Sequence, residues 1–272
     1  MYVSCIPLPF PEGAIFYPIF AGMYTHKKSL GQHFLKDESV IKKIIDVLKE
    51  ETFTNLLEVG PGAGALTKHL IQLPGIDFKA VELDEEKVDY LFQKYPALKD
   101  KVIHKSFLDI EKPFDQPFTV IGNFPYNIST QILFKMLEWK EDVPCMIGMF
   151  QKEVAERAAS KEGSKVYGVL SVLVQAYYEV EYLFDVGNEC FDPPPKVQSG
   201  VIRLKRKANA LNYKSERAFW VLVKTAFNQR RKTMRNAVKS LFPAEVLQQE
   251  IFTKRAERLS IDDFAALTHL MQ

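Results

Sequence analysis

The residues best placed to do chemistry sit where apolar runs end. "LLEVGPGAGALT" sets Glu58 just ahead of a glycine-rich turn, "VELD" ends its run on Glu82, and "FTVIGNFPYN" ends on Asn123, Phe124, Pro125 and Tyr126. Asn and Pro are strong turn formers, so the third cluster read alone is compatible with a plain turn. The first two say more. Glycines between a strand and a helix allow positive φ and let a ligand approach the backbone closely. An acid at the carboxyl end of the following strand is placed to accept both hydroxyls of a ribose.

The turn is not GxGxxG, and no Lys-Ser/Thr pair follows it as in a phosphate-binding loop. An acidic Glu58 beside the turn is also expected to repel a pyrophosphate. A nucleoside cofactor without phosphates suits the loop better, and S-adenosylmethionine is the common one. The plainer alternative is a structural strand-to-helix turn.

The elements that must position these clusters follow from periodicity. Val40, Ile41, Ile44, Ile45 and Leu48 fall at helical spacing between Glu38 and Glu50. "TNLLEVG", "DFKAVEL", "KVIHKS", "FTVIG" and "PCMIGMF" read as strands. "ALTKHLIQL", "DEEKVDYLFQKY" and Ser129 to Trp139 read as helices. This alternation predicts an α/β fold, a mostly parallel sheet with helices on both faces. "EVEYLFDV" and "SGVIRLKR" are late strands around "FDPPPKV".

Beyond Lys207 the pattern is helical, which predicts a small C-terminal all-α domain. One long helix is expected through "SERAFWVLVKTAFNQRRKTMRNAVKSLF", until Pro243 ends it. A last helix, capped by Ser260 with Asp263, should pack Phe264, Leu267 and Leu270. The expected organisation is an N-terminal extension over 1–24, a catalytic domain over 25–207 and a helical domain over 208–272. The extension is apolar but interrupted by prolines and lacks the basic start of a signal peptide. It is expected to be poorly ordered. Met23 is a candidate for the true start, which mass spectrometry of the native protein would decide.

At 272 residues, with 47% apolar and 26% charged residues, the composition is that of a globular chain. No run approaches the roughly 18 apolar residues that a membrane span requires, so no membrane is expected. Cys5, Cys145 and Cys190 are widely spaced with no CxxC pair, suggesting neither disulfides nor a metal site. A reducing cytoplasm fits, with Cys145 a small core residue. Net charge is only +2, yet twelve Lys or Arg against one acid, Glu216, fall between Arg203 and Lys239. That segment is +11 and the remainder −9. Such asymmetry points to a polyanionic partner met by one end of the molecule, the alternative being a solvated helix face.

Taken in order, "KKSLGQHFL", "EVGPGAGALT", "VELD", "GNFPYNIS", "FDPPPKVQS" and "FNQRRKTMRN" resemble the ribosomal RNA adenine dimethyltransferase family. The closer branch is the one that dimethylates two adjacent adenines near the end of small-subunit rRNA. The resemblance spans about Lys27 to Leu270. It implies a Rossmann-like class I methyltransferase fold with a seven-stranded sheet, S-adenosylmethionine as cofactor, and small-subunit rRNA in a pre-ribosomal particle as partner. A monomer is the default expectation.

By the same resemblance Gln32, His33 and Leu35 line the methionine side of the cofactor. Glu58, Gly60 and Gly62 belong to the glycine loop, Glu82 binds the ribose, and Leu83, Ser106, Phe107 and Asn123 complete the cofactor set. Two positions depart from the family pattern. His33 stands where Asn is common, and Ser106 where an Asp usually receives the adenine amino group. Asp109 is a poorer substitute. In this frame Asn123 and a carbonyl at Phe124 or Pro125 would hold the amino hydrogens of a flipped adenine, with Tyr126 and Phe191 as stacking walls. For the RNA, Arg231, Arg235 and Lys239 fall at i, i+4, i+8 of the expected long helix. Arg230 and Lys232 flank this stripe, and Lys196, Arg203 and Lys205 add to it from outside.

Rival readings fit less well: a DNA adenine or protein glutamine methyltransferase would carry a second Pro or an Asp in the tetrapeptide that here is Asn-Phe-Pro-Tyr. A large-subunit rRNA adenine methyltransferase shares the catalytic loop but matches the first and last motifs less well. A non-catalytic assembly factor would need neither Glu82 nor Asn123. A nicotinamide dehydrogenase is the most distant.

Overall fold

The structure is a computed structural model and describes residues 33–272. Gln32 and the 1–24 extension lie outside the described residues. From the first described residues the chain runs through β1 (Phe34–Leu35), α1 (Glu38–Lys49), β2 (Asn55–Val59), α2 (Thr67–Leu70) and β3 (Asp77–Glu82). It continues through α3 (Glu85–Lys94), β4 (Val102–His104), β5 (Thr119–Asn123), α4 (Ser129–Glu138) and β6 (Cys145–Gln151). Then follow α5 (Lys152–Ala159), α6 (Val169–Gln175), β7 (Tyr178–Val186), β8 (Phe191–Asp192) and β9 (Ser199–Arg206). The last helices are α7 (Glu216–Asn228), α8 (Met234–Ala237) and α9 (Ile261–Thr268).

Seven strands form one sheet in the order β4-β3-β2-β5-β6-β9-β7. The first five in that order are parallel, and β9 is antiparallel to both neighbours. Strands covered by helices on both faces can be apolar throughout, as in β6, where every residue from Cys145 to Phe150 is buried. Helix α1 starts where Asp37 accepts the Ser39 and Val40 N–H groups, and it buries the five apolar residues whose spacing predicts it. The sheet reverses its winding between β2 and β5, and in such folds ligands bind outside the carboxyl ends of the strands at that point. A separate two-stranded sheet pairs β1 with β8 and brings the first described residues to this same end.

Three local expectations fail. The helix expected over "ALTKHLIQL" is α-helical only from Thr67 to Leu70. The long C-terminal helix stops at Asn228, and Gln229 leaves helical geometry with φ −120 and ψ 44. Consecutive Arg230, Arg231 and Lys232, with Arg235 a turn on, would crowd like charges along one helix. The break instead lets Met234, Ala237 and Val238 enter the core on a separate turn. Leu270 lies beyond the end of α9 and is exposed, whereas Phe264 and Leu267 are buried.

Beyond Arg206 the chain is helical apart from one bridge between Thr233 and Arg255. Its core is continuous with that of the sheet: Phe219, Leu222 and Val223 share one apolar cluster with Phe150, Leu170 and Leu173. The Tyr167 hydroxyl donates to Leu259 O at 3.2 Å, and the Tyr177 hydroxyl to Glu216 at 2.9 Å. Among the described residues no helix is long and apolar enough to cross a membrane.

Candidate active site

The carboxyl ends of β2, β3 and β5 open into a cleft lined by residues 33–35, 58–63, 65–66, 81–83, 105–108 and 123–128. His33, Leu35, Glu58, Gly60, Gly62, Glu82, Leu83, Ser106, Phe107 and Asn123 all contribute to it, together with Phe124, Pro125 and Tyr126.

The turn after β2 needs its glycines. Gly60 and Gly62 have φ of +68 and +53, a region costly for other residues. A Cβ on Gly62 would lie 2.8 Å from the Phe34 ring. The Gly62 N–H donates to Glu82 Oε2 at 3.0 Å, and Glu82 Oε1 accepts the Leu83 and Asp84 N–H groups at 2.9 and 3.0 Å. These three bonds fix the Glu82 carboxylate in the cleft wall and tie the turn to the neighbouring strand. Burial raises the Glu82 pKa above the ordinary carboxylate value, against the pull of those N–H groups.

Glu58 is 1% exposed and accepts the Thr67 hydroxyl at 2.7 Å. Burial is the main cause that pushes its pKa up to about 8. A carboxyl so shifted carries less charge near neutral pH than an exposed one, which weakens the repulsion expected toward a pyrophosphate.

The "GNFPYN" segment is anchored from below. The Phe124 ring lies in the core, 4.8 Å from Phe150, over two glycines: a Cβ on Gly148 would come within 2.2 Å of the Phe124 ring. Phe124 can thus meet a ligand through its backbone but not through its ring. Asn123 Nδ2 donates to the His33 carbonyl at 2.9 Å. An amide that gives its NH2 to a carbonyl turns its Oδ1 the other way, so this bond sets which end of Asn123 is the acceptor for the cleft. His33 is held in turn by a bond of 2.8 Å between its Nδ1 and Pro193 O. The Tyr126 ring lies 5.4 Å from that of His33, and its hydroxyl is hydrogen-bonded to Ser199 Oγ.

Phe191 does not form a stacking wall. It is 0% exposed, packs with Leu35, Val186 and Cys190, and does not line the cleft. In β8 it points inward while Asp192 points out, and the peptide bond to Pro193 is cis. Ser106 Oγ accepts the Leu108 N–H at 3.3 Å and still has its own hydrogen to donate. Asp109 is exposed and outside the cleft. Cys145 is a core residue whose thiol burial pushes to about 12.

Sequence reading missed Phe34, Lys105 and Leu108 in the lining, and the supporting roles of Pro193 and Ser199. A two-residue strand such as β1 has no periodicity to detect. Only the position of Phe34 between two chosen residues, His33 and Leu35, pointed to it.

The basic residues do not form one stripe. Arg203 is 13% exposed and paired with Glu50, Glu51 and Glu181, and Lys205 with Glu51. In β9 they stand opposite Ile147 and Cys145, while the cleft end of the strand is Ser199 opposite Gln151. Both therefore lie away from the cleft, committed to acids. Arg235 is half-buried and donates to Leu247 O at 2.9 Å, and Arg230 donates to Lys165 O. Lys196, Arg231, Lys232 and Lys239 are exposed.

A sheet in this order, a glycine turn after its first parallel strand, an acid ending the second and Asn-Phe-Pro-Tyr ending the fourth define a Rossmann-like class I methyltransferase. The fold agrees with solved structures of a dimethyladenosine transferase from Plasmodium falciparum and of the 23S rRNA methyltransferase ErmE. The first has TM-score 0.76 and 24% identity and covers 88% of this chain and 99% of that one. The second has TM-score 0.66 and 24% identity, covering 86% and 99%. The family model for ribosomal RNA adenine dimethylase matches residues 23–272, and the chain belongs to that family. Ribosomal RNA small subunit methyltransferase A of Flavobacterium johnsoniae is 50% identical over 250 residues, covering 90% of this chain and 95% of that protein. The protein of the same name from Parabacteroides distasonis is 51% identical over 252 residues, covering 90% and 94%.

Proposed function

We propose that the chain is an S-adenosylmethionine-dependent RNA methyltransferase. It dimethylates the exocyclic amino groups of two adjacent adenines near the 3′ end of small-subunit rRNA, acting in the cytoplasm as a monomer on the pre-ribosomal small subunit. Family membership and the two curated relatives support the substrate. The observation that carries the chemistry is the Asn123 amide, turned by His33 O so that its oxygen is the acceptor offered to the cleft.

The residues present fit the cofactor. Glu82 is held by three N–H groups in the position to accept ribose hydroxyls, and Leu83, 52% exposed at the cleft, offers an apolar face to a purine. Ser106 Oγ, which already accepts the Leu108 N–H, or the backbone beside it receives the adenine amino group, and Gly60 and Gly62 permit close approach of the amino-acid portion. The cofactor, when bound, brings an already activated sulfonium methyl.

The protein's task is then to aim a weak nucleophile. An exocyclic adenine nitrogen delocalises its lone pair into the ring. Two acceptors on its hydrogens favour a pyramidal nitrogen with that pair directed outward. Asn123 Oδ1 is one acceptor. Of the two carbonyls considered for the other, Pro125 O already accepts Ile128 N–H and the Ser129 hydroxyl, which favours Phe124 O. Tyr126 offers its ring to the flipped base. Of the basic residues expected to meet RNA, Lys196, Arg231, Lys232 and Lys239 are exposed and not committed to the fold, and they are proposed to meet phosphate.

Labelled S-adenosylmethionine is incubated with small subunits lacking the modification and, separately, with unmodified large-subunit RNA, and nucleosides are read by mass spectrometry. Dimethyladenosine in the small-subunit RNA alone is the expected result. Transfer confined to large-subunit RNA, or none with the cofactor bound, would overturn the assignment.

A further inference from the structure

We infer that Ser199 is a positioning residue for methyl transfer, fixing where the Tyr126 ring stands beside the base; the inference rests on the reading above. Ser199 opens β9 at the cleft end of the sheet and is 0% exposed, yet it does not line the cleft. Its hydroxyl is hydrogen-bonded to the Tyr126 hydroxyl. A tyrosine ring swings about its Cα–Cβ bond unless its far end is fastened; the hydroxyl lies on the Cβ–Cγ axis, so a bond to it fixes where the ring stands rather than its rotation about that axis. Here the fastening comes from a buried side chain on a strand paired along its length with β6 and β7.

The same connection, residues 191–199, also reaches the other half of the catalytic loop. Pro193 O holds His33, and His33 O holds the Asn123 amide. The connection after β8 therefore grips both ends of Asn123–Tyr126, one through a backbone relay and one through a single hydroxyl. The hydroxyl is the part that a mutation can remove cleanly.

Ser199→Ala, Tyr126→Phe and the double variant are compared by single-turnover transfer to unmodified small subunits, with cofactor affinity measured in parallel. Ser199→Ala should lower transfer about 3- to 10-fold, the size of one hydrogen bond, with cofactor affinity unchanged. In the Tyr126→Phe background the same substitution should cost almost nothing, because the bond is already absent. An equal loss in both backgrounds would make Ser199 a packing residue only, and no loss in either would remove it from the mechanism. To keep this separate from the substrate assignment, 3-fluorotyrosine is incorporated and the Tyr126 fluorine resonance, identified by its loss in Tyr126→Phe, is followed without RNA. One sharp signal that broadens or splits in Ser199→Ala supports the fastening even if transfer to this RNA is absent, whereas an unchanged signal overturns it.

Discussion

At the cleft, the side chains proposed to bind and aim are held by the protein itself: Glu82 by three N–H groups, Asn123 by His33 O, Tyr126 by Ser199. Across the C-terminal helices the exposed cations Arg231, Lys232 and Lys239 stand on turns that follow α7 and α8. The contrast matches two kinds of recognition. A reaction that depends on aiming one nitrogen gains from preorganised dipoles. A polyanion met through its phosphates gains from charge density and tolerates loose geometry. Where a basic side chain is tightly held, as Arg203 is, it serves the fold.

Removing a held group at the cleft should cost most. Glu82→Ala leaves three N–H groups without their carboxylate and deletes the proposed ribose acceptor, so cofactor affinity should fall by about 100-fold or more by calorimetry. Gly62→Ala strains the backbone and meets the Phe34 ring. Cofactor affinity should fall about tenfold or more, and retention of full affinity would mean that the turn is more pliant than the cleft requires.

On the basic surface, Arg231→Ala and Lys232→Ala should each reduce the slope of log RNA affinity against log salt by about one, with cofactor affinity unchanged. Arg203→Ala sharpens the comparison. It should leave the salt slope alone and lower the melting temperature, because Glu50, Glu51 and Glu181 lose the cation between them.

A last prediction concerns the pH dependence of stability at Glu58. Burial pushes its pKa up to about 8 in the folded chain, from an ordinary value of 4.5. Between those values the folded chain keeps a proton that the unfolded chain has released, so this group makes stability fall as pH rises, levelling above about 8. Glu58→Gln should therefore gain stability relative to the parent between pH 5 and 8 in melting curves. A constant offset would place the carboxyl outside the buried, neutral state.

Much of the catalytic end was legible because its demands are local. Glycines with positive φ, an acid closing a strand and an Asn-Phe-Pro-Tyr turn each occupy a few consecutive residues, and strand-helix alternation pointed to a mostly parallel sheet. What failed depends on contacts between distant segments. Phe191 reads as an available aromatic until its pairing with Leu35 buries it. Arg203 counts as a free cation until three glutamates from other elements surround it. The break after Asn228 carries no Pro or Gly; adjacent like charges and the burial of Met234 make it. Ser199, an unremarkable serine in "KVQSG", acquires a role only when the fold sets it beside Tyr126.

The central claim is that aim, supplied by an oriented amide oxygen, drives transfer. Single-turnover transfer from labelled S-adenosylmethionine to unmodified small subunits, parent against Asn123→Ala, tests it most directly when cofactor and RNA affinities are measured on the same samples. The account predicts loss of dimethyladenosine by about 100-fold or more, well beyond any loss of cofactor or RNA affinity. Transfer at the parental rate would contradict it.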